Sequence, residues 1–474
     1  MREVADSTES KRCTTPVAGV LVALGILLLA PPIEGQPRGG GDEASAGLRY
    51  GFEVKGHYRD SDPVSFRSPL GFPRSFLPVG QEEGLLETVE PDGHAELSAA
   101  TVWLEAQFWR HFEAKVKVDL IDRYDRNPTS SDDEIDIDEL WLRFGRETAA
   151  GLLPERDFGS YAKIGKFAKF ERQNDRHLES YGLVSTAFNR AEDVGVEVGF
   201  DLWRRFYAKV SYTQGNPVFF RDPNALAGDN GIPILNVNSP DFVPNPDPEL
   251  KTGFPIFYDA DVEDIDFDNP ETGLALGLRL GGEDSWSLDL MVWTYSRELA
   301  DTVDLGGTFY GGDLDLILGP QNAFPPRIPT ALNRKKEEYG ANLWFYLGNF
   351  SLFAQYVDQD LGGLPRTGLE VEASYAFELP YWAALGGRQL FSFVQPTVRY
   401  SELDNDFLVN ASYPAPSVMW DWEKLDLGLR LGLVDRLLDL TVEWNDNEFV
   451  RAGVKESADE FLATVRWAMD WENR

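Results

Sequence analysis

Cysteine and histidine are scarce in this chain of 474 residues, which contains one cysteine and four histidines. The cysteine, Cys13, lies in an N-terminal segment that we expect to be removed, which excludes disulfides and thiol chemistry from the mature protein. The histidines are scattered outside any metal-ligand spacing, and no G-x-S-x-G, H-E-x-x-H or glycine-rich phosphate motif occurs. We therefore predict no catalytic residue, no metal site, no cofactor and no enzymatic activity.

Basic residues are in deficit, with 44 Lys and Arg against 79 Asp and Glu and a formal net charge of -35. This imbalance argues against nucleic acid as a partner, because phosphate backbones are bound by clustered positive charge. Disorder is not indicated, since 43% of the residues are hydrophobic and 13% are aromatic. The composition is that of a folded, acidic protein.

Long apolar runs are also missing, apart from residues 17–30 near the N-terminus. Lys11 and Arg12 precede that run, which suits a signal peptide better than a membrane-spanning helix of about 20 residues. We expect a signal peptide over residues 1–35, with cleavage near Gly35, and a short linker over 36–45; an uncleaved anchor is the alternative. A mature protein without other apolar runs can cross a membrane only as a closed barrel.

Period-two alternation of apolar and polar residues repeats along the rest of the chain, for example in residues 48–54, 112–120 and 425–431. Successive side chains of a strand point to opposite faces, so each such segment has one apolar wall and one polar wall. We predict sixteen strands, near residues 46–59, 95–108, 112–123, 136–146, 160–170, 191–202, 205–214, 272–280, 285–297, 337–347, 350–358, 367–379, 389–400, 422–433, 437–445 and 460–471.

The connectors alternate in length, being mostly short after even-numbered segments and longer after odd-numbered ones. This pattern is typical of outer-membrane barrels, with short periplasmic turns and long outer loops. The sequence thus predicts an all-β, antiparallel up-and-down transmembrane barrel over residues 46–471, in the bacterial outer membrane. The connector 147–159 is longer than the pattern requires, and 380–388 is intermediate. A soluble β-sandwich is the alternative, although its strands are usually shorter.

Aromatic residues cluster at strand ends, as in Trp344, Phe345 and Tyr346, and in Trp467 and Trp471. Amphipathic rings favour the boundary between membrane and water, where barrels have aromatic girdles. The alternative is ordinary strand composition, because aromatic residues favour strands in any case.

The run HAELSAATVWLEAQFWRHFEAKVKVDLIDRYD, then DEIDIDELWLRFG and YAKIGKFAKFERQNDRHLESYGL, resembles the phosphate-selective porin O/P family of the outer-membrane porin superfamily. The step Gly165, Lys166 and Phe167 and the hairpin over residues 420–449 carry the resemblance further. It implies a sixteen-stranded homotrimer that conducts small solutes passively. The family name also implies phosphate, which the sequence does not support.

The predicted inward-facing set is mixed in charge, whereas an anion-selective pore attracts anions with many Arg and Lys residues. In the predicted register the inward cations and carboxylates are Lys115, Lys117, Lys163, Lys169, Arg205, Lys209, Arg279, Arg430 and Arg466 against Glu113, Asp119, Glu197, Asp201, Asp289, Glu370, Glu372, Asp426, Asp439 and Glu443.

The third long connector, residues 171–190, is the candidate constriction of the pore, and a solvated outer loop is the alternative. A loop folded into the lumen would set the width and the field of the pore. The register of the strand before it is open, because Lys166 has the opposite parity to Lys163 and Lys169, and a slip of one residue inverts the faces. The predicted pore-lining residues are Lys115, Lys117, Lys163, Lys169, Arg172 and Arg176.

Two acidic runs, residues 131–139 and 259–268, invite a calcium interpretation. The second departs from a calcium loop, because Asp264 stands where glycine is needed and no closing glutamate follows at the right spacing. Solvated acidic loops are the favoured interpretation of both runs.

The leading functional hypothesis is a porin through which small hydrophilic solutes or ions diffuse. Its other expected partners are outer-membrane lipid and lipopolysaccharide. One alternative is a barrel plugged by its loops, with a structural, adhesive or envelope-binding role, since sixteen strands allow an open lumen without requiring one. A barrel enzyme is a weaker alternative.

Overall fold

The computed structural model describes most of the predicted barrel region. The described residues are 47–67, 85–87, 92–109, 111–122, 135–173, 176–188, 192–215, 265, 267–282, 286–299, 302–304, 313–315, 333–381, 383–385, 387–406, 421–434, 437–451 and 453–473. The predicted signal peptide and linker lie outside these residues, as does most of the acidic run 259–268.

Sixteen antiparallel strands form one closed barrel, which confirms the predicted fold class and strand number. The strand Pro365–Tyr375 continues after Ala376 as Phe377–Glu378. The strands are β1 Gly47–Ser61, β2 Asp92–Trp109, β3 Phe112–Asp122, β4 Asp136–Gly145, β5 Phe158–Ala168, β6 Glu192–Leu202, β7 Phe206–Thr213, β8 Glu271–Gly282, β9 Trp286–Glu298, β10 Lys335–Leu347, β11 Phe350–Leu361, β12 Pro365–Tyr375, β13 Phe391–Asn405, β14 Asp421–Leu433, β15 Leu438–Arg451 and β16 Val454–Asn473.

The barrel closes where β1 pairs with β16, in a register that runs from Leu48 opposite Asn473 to Ser61 opposite Glu460. Closure leaves no free sheet edge, so the strands satisfy one another's backbone groups around the whole ring. Each strand pairs with its neighbours in sequence, which is an up-and-down barrel. We call the end where β1 begins and β16 ends the turn end, and the opposite end the loop end.

Side chains alternate along each strand between an outer wall and a wall that faces the lumen. On β8, Leu274 and Leu276 are exposed on the outer wall, whereas Ala275 and Arg279 are buried on the lumen side. The outer wall of the neighbouring β9 continues the apolar surface with Leu290 and Val292. An apolar outside and a polar inside are what a barrel in lipid requires.

Four short ladders and one helix complete the described structure. The ladders pair Ser65–Arg67 with Leu85–Glu87, Thr302–Asp304 with Asp313–Asp315, and Ala384–Leu385 with Arg388–Gln389, besides the extension of β12. The helix α1 is Leu183–Ala187. None of the helices among the described residues is long and apolar enough to cross a membrane.

Two hairpins at the loop end are tighter than the predicted strand bounds imply. Strands β15 and β16 run on to Arg451 and from Val454, where the sequence predicts a gap over 446–459. Likewise β11 ends at Leu361 and β12 begins at Pro365. The predicted strands stop early because these strand ends carry polar residues on both faces. The ends lie beyond the lipid-facing part of the barrel, and only in that part does contact with lipid require alternation.

Gly165 on β5 gives the first prediction, a loss of stability on replacement with alanine. Its φ is +130°, and an added Cβ would clash with the backbone oxygen of Leu140 on β4, which cannot rotate away. Backbone strain alone should lower the free energy of unfolding by about 1–3 kcal/mol. Urea titration of the folded barrel in vesicles, followed by tryptophan fluorescence, measures the change.

The matched control is Gly282→Ala at the end of β8, where an added Cβ meets nothing within 4 Å. This variant should unfold at the same urea concentration as the unaltered protein. Equal stability of Gly165→Ala and Gly282→Ala would contradict the steric argument.

Candidate functional site: the barrel lumen

The connector between β5 and β6 enters the barrel. We call its described residues, 169–173 and 176–188, the lumen loop. Its residues hydrogen-bond to lumen-facing side chains of β1, β9, β10, β11, β12, β13, β14 and β15. The loop that the sequence offers as the candidate constriction therefore lies inside the barrel. The alternative, a solvated outer loop, would have placed it outside.

Glu171 is the first attachment point of the lumen loop and is fully buried. Its carboxylate accepts a 2.6 Å hydrogen bond from the hydroxyl of Tyr295 on β9. Its backbone oxygen accepts hydrogen bonds from the side-chain amides of Asn342 on β10, at 2.7 Å, and Gln355 on β11, at 3.2 Å. Three adjacent strands thus hold one residue of the loop.

Ser180 is the second attachment point. The guanidinium of Arg399 on β13 donates to its hydroxyl at 2.7 Å and to its backbone oxygen at 3.1 Å. Arg399 is itself held by Asp426 on β14, at 2.8 Å, and Lys424 donates to the backbone oxygen of Tyr181 at 2.7 Å. Charged donors to buried acceptors are among the stronger hydrogen bonds in proteins.

Glu179 lies between β1 and β15. Its carboxylate is 2.9 Å from the ammonium of Lys55, and its backbone N–H donates to Glu443 at 2.6 Å. Burial acts to raise the pKa of Glu179, but the charges of Lys55 and Arg176 outweigh it and lower the pKa to about 2. The loop carboxylate therefore stays ionised at any physiological pH.

Helix α1 and the residue after it fill the side of the lumen formed by β11 to β14. Val184 and Phe188 are buried and lie against Gly368 on β12, where an added Cβ would clash with both side chains. The guanidinium of Arg366 lies 4.7 Å from the centre of the Phe188 ring. Apolar packing and a cation–π contact close this half of the barrel.

The opposite half contains a cavity of about 1160 Å³, bounded mainly by β1 to β10. Cations outnumber carboxylates in its lining by ten to seven, although the whole chain carries a net charge of -35. The two sets are Arg49, Lys115, Lys117, Arg143, Lys163, Lys169, Arg172, Lys209, Arg279 and Arg466, and Glu53, Glu105, Glu139, Glu147, Glu192, Asp289 and Asp470.

A smaller cavity of about 280 Å³ lies against the lumen loop. Glu53, Arg172 and Arg466 line both cavities, so they mark the place where the two adjoin. Arg466 donates to Glu53 at 2.5 Å and to Asp439 at 3.0 Å, which keeps its charge in a fixed position at that place.

The six predicted pore-lining cations all line one of the two cavities, five of them the larger and Arg176 the smaller, with Arg172 in both. Each also has a partner. Lys115 contacts Glu139 at 2.8 Å and Lys163 contacts Glu147 at 3.0 Å, while the guanidinium of Arg176 lies 3.9 Å from the centre of the Tyr181 ring. The other three pairs are Lys117 with Asp138, Lys169 with Glu271, and Arg172 with Glu192.

The sequence left open which lysines around β5 face the lumen, and in the structure Lys163, Lys166 and Lys169 are all buried. Gly165, which has a positive φ, stands between Lys163 and Lys166, the two lysines of opposite parity. One predicted inward residue is misplaced: Arg205 belongs to the exposed turn 203–205 between β6 and β7. The prediction began β7 one residue too early, because Arg205 alternates correctly with Tyr207 and Lys209.

Trp344 and Tyr346 on β10 correct another expectation. Both line the larger cavity, and Trp344 is only 6% exposed, so they are not part of an outer girdle. Alternation could not show this, because both faces of β9 and β10 carry apolar residues. By contrast Trp467 and Trp471 on β16 lie exposed on the outside, where Trp471 stacks on Tyr50 of β1 at 5.4 Å.

Connector 146–157, which the sequence predicts only to be longer than a simple turn, reaches the larger cavity. Glu147, Thr148, Ala149 and Ala150 line the larger cavity from the turn end. Its unexpected length was the available signal, since a turn that only reverses the chain needs two to five residues.

The acidic runs give no metal site among the residues that the structure describes, where no group of three ligating side chains is found. Asp138 and Glu139 of the first run belong to β4 and pair with Lys117 and Lys115. Residues 131–134 and 259–264 lie outside the described residues.

No protein-family model and no curated protein sequence matches this chain. Among solved structures it is similar to the outer-membrane channel DcaP of Acinetobacter baumannii, with 11% identity and a TM-score of 0.48 over 91% of this chain and 99% of that one. OprB of Pseudomonas putida has 12% identity and a TM-score of 0.45 over 90% and 94%. An anion-selective porin from Comamonas acidovorans has 10% identity and a TM-score of 0.43 over 90% and 100%.

The strands themselves identify the fold. A closed antiparallel ring of sixteen strands, apolar outside and charged inside, is a β-barrel of the outer-membrane type.

Proposed function

We propose that the protein is a porin through which small hydrophilic solutes or ions diffuse passively. The observation that carries this proposal is the charged cavity of about 1160 Å³ beside the lumen loop. A lining of ten cations and seven carboxylates favours water and hydrated solutes over an apolar ligand. The proposed process contains no chemical step, so no residue is assigned a catalytic role.

The lining also supports a narrow passage rather than a wide one. The lumen loop occupies the side formed by β11 to β14, and the cations of the opposite side are held by ion pairs at 2.8–3.0 Å, as in Lys115 with Glu139 and Lys163 with Glu147. Fixed side chains give a pore a defined width and field, as selectivity requires. We assign the pore-lining role to the six predicted cations on this basis.

One finer part of the proposal, the homotrimer, comes from the resemblance to the phosphate-selective porin O/P family. The signal peptide over residues 1–35 is proposed from the apolar run 17–30 behind Lys11 and Arg12, and contact with outer-membrane lipid and lipopolysaccharide is proposed from the apolar outer wall. Phosphate as the solute is not part of the proposal, because each predicted pore cation has a partner in the protein, a carboxylate for five of them and the Tyr181 ring for Arg176.

A second candidate is a plugged barrel with a structural or envelope-binding role. It is favoured by one observation, namely that segments enter the lumen from both ends of the barrel. The lumen loop enters from the loop end, and connector 146–157 reaches the same cavity from the turn end.

Conductance of the purified protein in a planar lipid bilayer separates the two candidates. A porin gives discrete, uniform current steps, and a plugged barrel gives none even though a heat-dependent shift in gel mobility shows that it is folded. Steps whose reversal potential in a KCl gradient is unchanged by added phosphate would support a porin without phosphate selectivity. A folded protein that inserts without steps would contradict the channel.

A further inference from the structure

In connector 146–157, between β4 and β5, residues 147–151 turn into the lumen, while Arg146 and Glu155 lie at the surface. The backbone N–H of Gly151 donates to Asp289 on β9 at 3.2 Å, and the hydroxyl of Thr148 donates to Asp201 on β6 at 3.1 Å. Arg279 on β8 donates to the backbone oxygen of Thr148 at 3.3 Å and also contacts Asp201 and Asp289. Side chains of β6, β8 and β9 thus fix the position of this connector.

Gly151 explains how the connector fits. Its φ is +77°, and an added Cβ would clash with the ring of Tyr346 on β10. Glycine permits both the left-handed backbone and the close approach to the ring. This part of the connector is therefore shaped to lie inside the barrel.

Glu147 reaches from this connector into a group of cations on the wall. Its carboxylate lies 2.8 Å from the ammonium of Lys209 on β7, 3.0 Å from that of Lys163 on β5 and 3.0 Å from the guanidinium of Arg143 on β4. These four residues all line the larger cavity. One carboxylate from a turn thus contacts cations from three strands.

Two more carboxylates complete what we call the Glu147 group. Glu197 on β6 lies 3.4 Å from Lys163, and Glu113 on β3 lies 2.7 Å from Arg143. The group then has three cations and three carboxylates. Lys209 is paired through Glu147, so loss of the Glu147 charge would leave one positive charge in excess beside the cavity.

Glu147 is ionised in this position. Burial acts to raise its pKa, but Lys163, Lys209 and Arg143 together outweigh burial and hold the pKa well below its usual range. The carboxylate therefore contributes a full negative charge to the wall at neutral pH.

We propose that Glu147 is a selectivity-determining residue of the channel. Connector 146–157 places one negative charge on the solute path, which cancels the cationic wall of β4, β5 and β7 and keeps anion selectivity low. This inference rests on the proposed channel function and assigns the control of charge selectivity to a turn-end connector, in addition to the lumen loop.

The test is the reversal potential in a KCl gradient of purified protein in planar bilayers. Glu147→Gln keeps the shape of the side chain and removes its charge, so the ratio of chloride to potassium permeability should rise by about threefold or more. Glu155→Gln is the matched control on the same connector: Glu155 pairs with Arg146 at the surface, with 77% of its side chain exposed, and its loss should leave the ratio unchanged.

Lys209→Gln changes the charge of the same group in the opposite direction. It therefore still tests the inference if Glu147→Gln fails to fold. It removes one cation from the Glu147 group and should shift the ratio toward potassium, while the double variant should return to the unaltered value. Current steps with the same reversal potential in all variants would overturn this inference and leave the porin intact. Absence of steps in the unaltered protein would instead overturn the channel itself.

Discussion

Replacing Arg399 with alanine is expected to lower the free energy of unfolding of the barrel by about 3–5 kcal/mol, because it removes a fully buried cation that two buried carboxylates share. Arg399 is fully buried and contacts Asp426 at 2.8 Å and Glu372 at 3.5 Å. It also makes two hydrogen bonds to Ser180, so the same change removes an attachment of the lumen loop.

Urea titration in vesicles measures the loss of stability, and single-channel recording tests the loop. A loop with one attachment fewer should produce larger fluctuations of the open-channel current. Arg334→Ala is the control, since Arg334 contacts Glu298 on the surface with 36% of its side chain exposed and should cost at most about 1 kcal/mol.

A compensating variant sharpens this test. Adding Asp426→Asn to Arg399→Ala removes the charge of a carboxylate that has lost its Arg399 partner and should restore part of the stability. Equal unfolding of Arg399→Ala and Arg334→Ala would contradict the view that Arg399 is the buried support of the lumen loop.

Replacing Leu276 with lysine is expected to destabilise the barrel in a bilayer by about 2–4 kcal/mol, since a charge near the middle of the lipid-facing wall must leave water. Leu276 lies in the middle of β8, opposite Val292 of β9, and both side chains are more than half exposed on the outer wall. Reversible folding into phospholipid vesicles gives the free energy directly.

Leu347→Lys is the matched control. Leu347 is as exposed as Leu276, at 51% against 55%, but it is the last residue of β10 and lies at the turn end. The same substitution there should cost about 0–1 kcal/mol, because lysine can reach the membrane surface. Equal effects at the two positions would mean that the apolar wall does not face lipid as we describe.

The strands were predictable because lipid imposes a strict alternation on the outer wall. Leu425, Leu427, Leu429 and Leu431 alternate with polar residues in the sequence, and the structure places them on β14 as expected. The strand number follows from repeating this argument along the chain. The ends of β15 and β16 were not predictable, since their outer parts extend beyond the region in which alternation is required.

The lumen was only partly predictable. Alternation assigns a face to Lys115 or Lys163, and both lie in the lining of the cavity. It does not state which carboxylates will contact Lys163, because Glu147 approaches it from a turn and Glu197 from a neighbouring strand. Nor does it identify Trp344 as an inward residue, since apolar side chains occur on both walls of β10.

The pairing of β1 with β16 also has a consequence for how the chain acquires its structure. The ring closes only when residues such as Arg49 and Asp470, 421 positions apart, come together at 3.0 Å. Contacts of such long sequence separation slow folding, because the entropy of the intervening chain must be lost before they form. Until that final seam forms, the first and last strands each present an unpaired edge that can recruit another chain. Assembly of this protein is therefore most vulnerable to aggregation just before closure, and a chain that stops short of β16 would stay in that state.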